Sequence, residues 1–389
     1  MKTICIITNK YPNVYEPNVL VFVQQLVWEM ADQGIDCTVI CPMPVNIHPK
    51  YFNLPYHTIE YTEKNNKINV LRPKYFSLGQ TEILGINPTK FSTKSFECCV
   101  KKAIINNKLK PDVLYAHFIT PAGIAAVRVG RSLNIPTFMA HGEATTMTID
   151  DFGGAIDVSN ELKYLNGTIA VSSHNKKMLL DNNIVCEEKI KIFPNGFNPL
   201  RFHKMDKWKA RKKFGFDTND FIVGFVGSFD NRKGILRLQE AVDSFGGRVK
   251  FACAGKGKLM PSSANCIYAK PVNHSNLINF YNACDIFVLP TQMEGCCNAI
   301  VEAVACGLPI VSSDRLFNKE ILDETNALLI DPDNVNELKV AISKLYSDKG
   351  LREKKAMGSL KMSQNLTIEK RTKRIIKYIE ESINSRKGI

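Results

Sequence analysis

A run of apolar residues from Ile286 to Leu289 stops at Pro290, and a second run, PIVSS, follows the Gly307 break and ends at Ser313. Short apolar strands without polar alternation are buried on both faces, as in a parallel sheet, and the chain between two of them must cross over as a helix. Cys297 to Cys306 supplies the helix, and the Gly-Leu-Pro break ends it. The loop Thr291 to Cys296 therefore lies beyond the carboxyl end of a parallel strand, where open α/β sheets bind their ligands.

Glu294 falls in that loop and Glu302 eight residues further on, about two helical turns along. A carboxylate in the loop faces the occupant of the crevice, and the second reaches a more distant part of it. Between them, Gly295, Cys296, Cys297 and Asn298 bring unpaired backbone N–H groups and a positive dipole end, which suits a diphosphate. Two polyol-binding carboxylates flanking an anion site describe a sugar nucleotide. The alternative from spacing alone is a helix-capping Glu294 and a solvated Glu302.

The pattern E-G-x-x-N-x-x-x-E-A-x-A-x-G-x-P-I-V resembles the signature of the retaining family-four glycosyltransferases of the GT-B fold. The resemblance implies an α/β protein of two Rossmann-like domains facing a cleft. It also implies that Glu294 contacts the donor hexose and Glu302 the ribose. GSFDNRKGI is similar to the family's diphosphate-binding G-R-x-x-x-x-K-G, with Gly227 at the turn and Lys233 at the lysine position. Ser228 replaces the arginine there, and Arg232 is the candidate substitute. Two cations at the start of a helix oppose its dipole, so a bound diphosphate or solvation must account for them. Gly255-Lys256-Gly257 is similar to the G-x-G turn beside the nucleotide, and PNGFNPLRF to the P-N-G-x-D-x-x-x-F element that marks the domain crossing.

Earlier in the chain, Thr3 to Thr8, the stripe Val23, Leu26, Val27 and Met30, and Ile35 to Cys41 read as β-α-β. The loop Asn9 to Asn18 lacks the glycine that many family members carry there. Pro42 to Phe91 reads as loops and short strands that shape an acceptor pocket. From Thr93 on, Phe96, Cys99, Val100, Ala103 and Ile104 make one face of a basic amphipathic helix, which suits either a membrane surface or the core. His117 ends one strand and His141 another, and the resemblance places both on the acceptor side, with His117 catalytic.

At 389 residues with 44% hydrophobic, the chain has material for two or three domains. The expected division is 1–196 for acceptor, 197–366 for nucleotide sugar, and 367–389 as a helix crossing back. Twelve cysteines without a C-x-x-C pair imply reduced thiols rather than a disulfide scaffold or zinc site. Net charge is +13, and residues 1–196 hold 20 Lys and Arg against 17 Asp and Glu, while the remainder hold 31 against 21. Lys204 to Lys213 and the tail from Lys370 carry much of that excess, as a solvated surface or one for anionic lipid or nucleic acid. No signal peptide or membrane-spanning run is evident, so a cytoplasmic protein, peripheral on the inner face of the plasma membrane, is expected.

The expected reaction is retaining hexosyl transfer from a UDP- or GDP-sugar to a hydroxyl of a glycan or lipid-linked acceptor, in cell-surface polysaccharide synthesis. No cofactor, metal or nucleic acid is expected, and Asp331-Pro332-Asp333 reads as a turn rather than a metal motif. The rival readings are a sugar-nucleotide epimerase of the same fold and a non-catalytic basic protein binding membrane or nucleic acid.

Overall fold

A computed structural model of the chain describes residues 1–79 and 87–387. Two compact units result, one made of Met1–Phe193 with Thr372–Ile389 and the other of Pro194–Arg371.

The first unit is built on an eight-stranded sheet in the order Ile190–Ile192, Gly167–Ala170, Thr137–His141, Val113–His117, Thr3–Ile7, Asp36–Ile40, Lys67–Leu71, His57–Tyr61. Seven strands run parallel, and only His57–Tyr61 is antiparallel, at the edge. Its alternating exposure marks it as the edge strand, whereas Val113–His117 and Thr137–His141 are buried at every position. The aromatic-rich segment between Pro42 and Phe91 thus supplies two sheet strands, plus a small pair, Met43–Pro44 with Lys74–Tyr75.

The basic helix spans Pro88–Asn106, and the Asn87 side chain caps its first turn. Phe96, Val100, Ala103 and Ile104 are buried against sheet residues such as Cys5, Ile7, Leu71 and Leu114. Its apolar face belongs to the core and is not available to a membrane.

The second unit holds a six-stranded parallel sheet in the order Cys266–Lys270, Val249–Ala254, Phe221–Val226, Ile286–Leu289, Ile310–Ser313, Ala327–Ile330. Ile286–Leu289 is central and wholly buried, as its unbroken apolar run requires. The basic segment narrows to a helix at Lys207–Phe214, and Arg211 within it is a core residue. Its guanidinium donates to the carbonyls of Ala283, Asp217 and Thr218 and to Asp285 Oδ2 at 2.7 Å, so this charge is consumed inside the fold.

Two strands of chain run side by side at the unit boundary. Phe197 N–H donates to Leu366 O at 3.0 Å and Ile368 N–H to Phe197 O at 2.8 Å, within the second unit. The last helix, Ile368–Lys387, then buries Ile375, Tyr378 and Ile379, with Tyr378 against Phe138 and Phe193 and its hydroxyl on Lys189 O.

Candidate active site

The loop after Ile286–Leu289 and the turn after Phe221–Val226 converge on one carboxylate oxygen. Glu294 Oε1 stands 2.5 Å from Lys233 Nζ and 2.8 Å from Arg232 Nη1, and accepts from Thr291 Oγ1 at 2.8 Å. Arg232 Nη1 also donates to Met293 O at 2.8 Å, and Gln292 N–H donates to Arg232 O at 2.9 Å, which locks the two loops together. Two cations meet one carboxylate oxygen at the carboxyl edge of the sheet, and both carry donors that an entering anion can take over from Glu294.

Burial works against a charge on Lys233, but the Cys297 sulfur and Glu294 together outweigh it and hold the ammonium pKa above its ordinary value. Cys297 Sγ lies 3.8 Å from the same Nζ, and burial pushes that thiol up, so it is neutral at neutral pH and Glu294 is the working counter-charge.

The helix after this turn begins at Ile235, not at the cations, because Gly234 takes a left-handed φ of 77° and is its N-cap. Arg232 and Lys233 therefore lie in the preceding turn, and their repulsion is offset by Glu294. Asp230 holds that turn by accepting Lys233 N–H at 2.8 Å and the Ser228 hydroxyl at 2.5 Å. Burial raises its pKa, yet the Ser228 hydroxyl and the Lys233 N–H keep the carboxyl below the usual range. Ser228, standing where the family has arginine, is thus spent on Asp230.

Gly227 stands at the turn as expected but outside the left-handed region, and a Cβ there would only touch the Lys233 stem at 3.5 Å. The demanding position is Gly255, where a Cβ would fall 1.9 Å from Gly227 O. The two turns are packed backbone to backbone, with Phe229 N–H donating to Lys256 O at 2.9 Å.

The helix expected at Cys297–Cys306 runs over Asn298–Ala305 with Cys297 as its N-cap. Gly295, Cys296 and Cys297 are buried, and Asn195 from the P-N-G element donates its amide to Cys296 O at 3.2 Å and to Asn298 Oδ1 at 2.8 Å. Further along, Glu302 accepts the Tyr281 hydroxyl at 2.8 Å, and His274 Nε2 lies 3.7 Å from its other oxygen. The structure therefore groups Glu294, Lys233, Arg232 and Cys297, and gives Glu302 separate partners. Thr291, Asp230, Tyr281 and Asn195 were not singled out by the sequence, although Asn195 lies in the P-N-G motif and Thr291 directly follows the strand-ending Pro290.

In the first unit, His117 ends its strand buried, with its ring 5.1 Å from Tyr115 and 6.3 Å from Phe118. His141 ends the neighbouring strand with Nδ1 2.6 Å from Glu143 Oε2, and its Nε2 is buried without a hydrogen-bond partner among the described residues. Burial raises the Glu143 pKa, but the His141 ring and the Ile119 N–H, 2.7 Å from Oε1, bring it below the ordinary value. Glu143 also escaped the sequence reading, despite lying two residues beyond His141.

Among the described residues no three or more His, Cys, Asp or Glu side chains are placed to hold a metal ion. All twelve cysteines are free, and burial pushes Cys5, Cys41 and Cys296 up to about 12. Among the described residues no helix is long and apolar enough to cross a membrane.

Twin sheets with Rossmann-like crossovers and a cation–carboxylate centre at the carboxyl edge define a GT-B glycosyltransferase. Residues 206–359 match the model for glycosyl transferases group 1 and residues 19–201 that for glycosyltransferase family 4, and the chain belongs to this family. It is 27% identical over 349 residues, 87% of either chain, to the putative teichuronic acid biosynthesis glycosyltransferase TuaC of Bacillus subtilis. A UDP-Gal:α-D-GlcNAc-diphosphoundecaprenol α-1,3-galactosyltransferase of Escherichia coli is 27% identical over 56% of this chain and 60% of its own. The crystal structure of Anabaena HepE in complex with UDP-glucose superposes with a TM-score of 0.71 at 15% identity, covering 99% of this chain and 100% of that one. At that identity the likeness speaks for the fold alone.

Proposed function

We propose that this glycosyltransferase moves a hexose from a UDP- or GDP-sugar to a hydroxyl of a glycan or lipid-linked acceptor, with retained anomeric configuration, in synthesis of a cell-surface polysaccharide. The observation that carries the reading is the cluster at Glu294 Oε1, where two cations and a hydroxyl meet one carboxylate. When donor enters, its diphosphate takes over Lys233 and Arg232, and the released carboxylate accepts the hexose hydroxyls. Negative charge grows on the departing diphosphate, so the cation contacts strengthen toward the transition state and supply the main stabilisation without a divalent ion. Glu302, already paired with a hydroxyl donor, reads the ribose. His117 and His141 serve the acceptor side, and a substrate hydroxyl would satisfy the buried His141 Nε2. The lipid-linked acceptor in the name of the E. coli galactosyltransferase supports the acceptor class, and the name of TuaC supports the polysaccharide setting.

The test is a transfer assay with a panel of nucleotide sugars and a lipid-linked acceptor, run with and without EDTA, with product configuration read by NMR. Transfer that survives EDTA, an axial-to-axial outcome for an α-linked donor, and loss of turnover in a folded Glu294→Gln variant are expected. Full turnover by Glu294→Gln would sink the site assignment.

A further inference from the structure

We propose that Glu143 is a positioning residue for the acceptor side: it fixes the ring proton of His141 on Nδ1 and so makes Nε2 a hydrogen-bond acceptor for a substrate hydroxyl. Three donors meet this one carboxylate. Oε2 accepts from His141 Nδ1 at 2.6 Å and from the Gly142 N–H at 3.2 Å, while Oε1 accepts the Ile119 N–H at 2.7 Å. Burial pushes the Glu143 pKa up, but the ring and the backbone N–H groups bring it below its ordinary value, so the group is ionised. An ionised carboxylate accepts and cannot donate, so the neutral ring can bond to it only with the proton on Nδ1. Nε2 then carries the lone pair.

The surroundings hold the pair in place. The Glu143 carbonyl accepts the Asn175 amide at 2.7 Å, and Asn175 Oδ1 accepts the Ser172 hydroxyl at 2.8 Å, with both side chains buried. On its other side, the Ile119 N–H belongs to the turn that follows His117. Phe118 in that turn has φ 74° and ψ 164°, a backbone conformation rare for a bulky residue and most often kept at functional sites. Its N–H donates to Ala140 O at 2.9 Å, and its carbonyl accepts the Gly123 N–H at 3.0 Å. Glu143 adds the third tether, so one carboxylate ties the strand end that carries His141 to the strained turn beside His117.

A tie that served the fold alone would not leave the far side of the ring unmatched. His141 is 0% exposed and its Nε2 has no hydrogen-bond partner among the described residues, a deficit that a bound hydroxyl removes. The geometry also calls for a carboxylate rather than an amide. A glutamine at 143 must turn its NH2 either toward the Ile119 N–H, donor against donor, or toward Gly142 and His141. The second choice makes Nδ1 the acceptor and moves the ring proton to Nε2, which can then no longer accept from the substrate. The hydroxyl rests on the acceptor-side reading of His141, whereas the place of the ring proton does not.

The experiment combines nitrogen NMR of the histidine rings in the full chain, at a pH where the His141 ring is neutral, with steady-state transfer by the donor and acceptor that the panel above selects. His141→Asn assigns the ring signal. The parent ring should carry its proton on Nδ1, and in Glu143→Gln the proton should pass wholly or in part to Nε2. Glu143→Gln should also lower kcat/KM for the acceptor about tenfold or more, with Kd for UDP or GDP by calorimetry unchanged. Asparagine at 141 keeps a donor toward Glu143 but has no Nε2, so His141→Asn should lose as much activity, and the double variant should lose no more than His141→Asn alone. A parent ring protonated on Nε2, an unaltered ring or unaltered transfer in Glu143→Gln, or losses that multiply in the double variant would overturn the proposal. Where Glu143→Gln does not fold, the parent ring and the activity of His141→Asn decide. The ring measurement needs no substrate, so a failure of sugar transfer and a failure of the positioning role are read separately.

Discussion

Lys233 and Arg232 share one carboxylate oxygen but are not equivalent. The Lys233 side chain is 12% exposed and that of Arg232 41%, so water screens the arginine far more. Loss of a charged hydrogen bond in the sheltered position is worth roughly 1.5 to 3 kcal/mol, or about 10- to 100-fold. Lys233→Ala should therefore cut kcat/KM by that range or more, whereas Arg232→Ala should cost only severalfold and leave Lys233 on Glu294. Equal losses in steady-state kinetics would instead make Arg232 the full substitute for the arginine that Ser228 replaces. The raised Lys233 pKa sets the sign of the pH effect. Its pairing contribution is whole below the unfolded lysine value, about 10.4, and disappears only as pH rises through the higher folded value.

At the scale of the element, the site depends on two turns meeting without side chains between them. Gly255 can approach Gly227 O only because it lacks a Cβ, and Gly234 combines a left-handed φ with a Cβ position 2.6 Å from Pro290 O. Gly255→Ala must push the Gly227 turn outward, at about 1 to 3 kcal/mol for the overpacking. Urea denaturation should register that loss, and nucleotide affinity should fall with it because Lys233 follows Gly227 in the same turn. Unchanged stability and affinity would mean that the turns yield freely and do not position the lysine.

Across the whole molecule, the last helix is an integral part of the first unit rather than a tail. Ile375, Tyr378 and Ile379 are buried in it, and removal of each such side chain costs about 2 to 5 kcal/mol. Their sum rivals the 5 to 15 kcal/mol that stabilises a typical domain. A chain stopped after Arg371 should lose the cooperative melt of the first unit by calorimetry and become protease-sensitive through residues 1–193. A melt and digestion pattern like the parent's would show that the helix contributes little.

Strand positions and the family were legible because unbroken apolar runs such as Ile286–Leu289 can only be buried, and because the E-G-x-x-N-x-x-x-E spacing is specific. Glu294, Lys233 and Arg232 were legible as residue types at motif positions. Their mutual distance was not, since 61 residues of chain separate Lys233 from Glu294 and only the order of strands in the sheet closes that gap. The start of the helix at Ile235 was hidden because Gly234, not the cations, ends the turn. The basic helix read equally well as a membrane face or a core face, since periodicity gives a stripe and not its partner. Sequence by itself determined which residues must be buried and which carry chemistry, through hydrophobicity, spacing and charge. Tertiary structure alone decided that Arg211 is a core residue, that Ser228 serves Asp230, and that one carboxylate oxygen gathers Lys233, Arg232 and Thr291, because each of these depends on contacts between segments distant along the chain or on the local path of a turn.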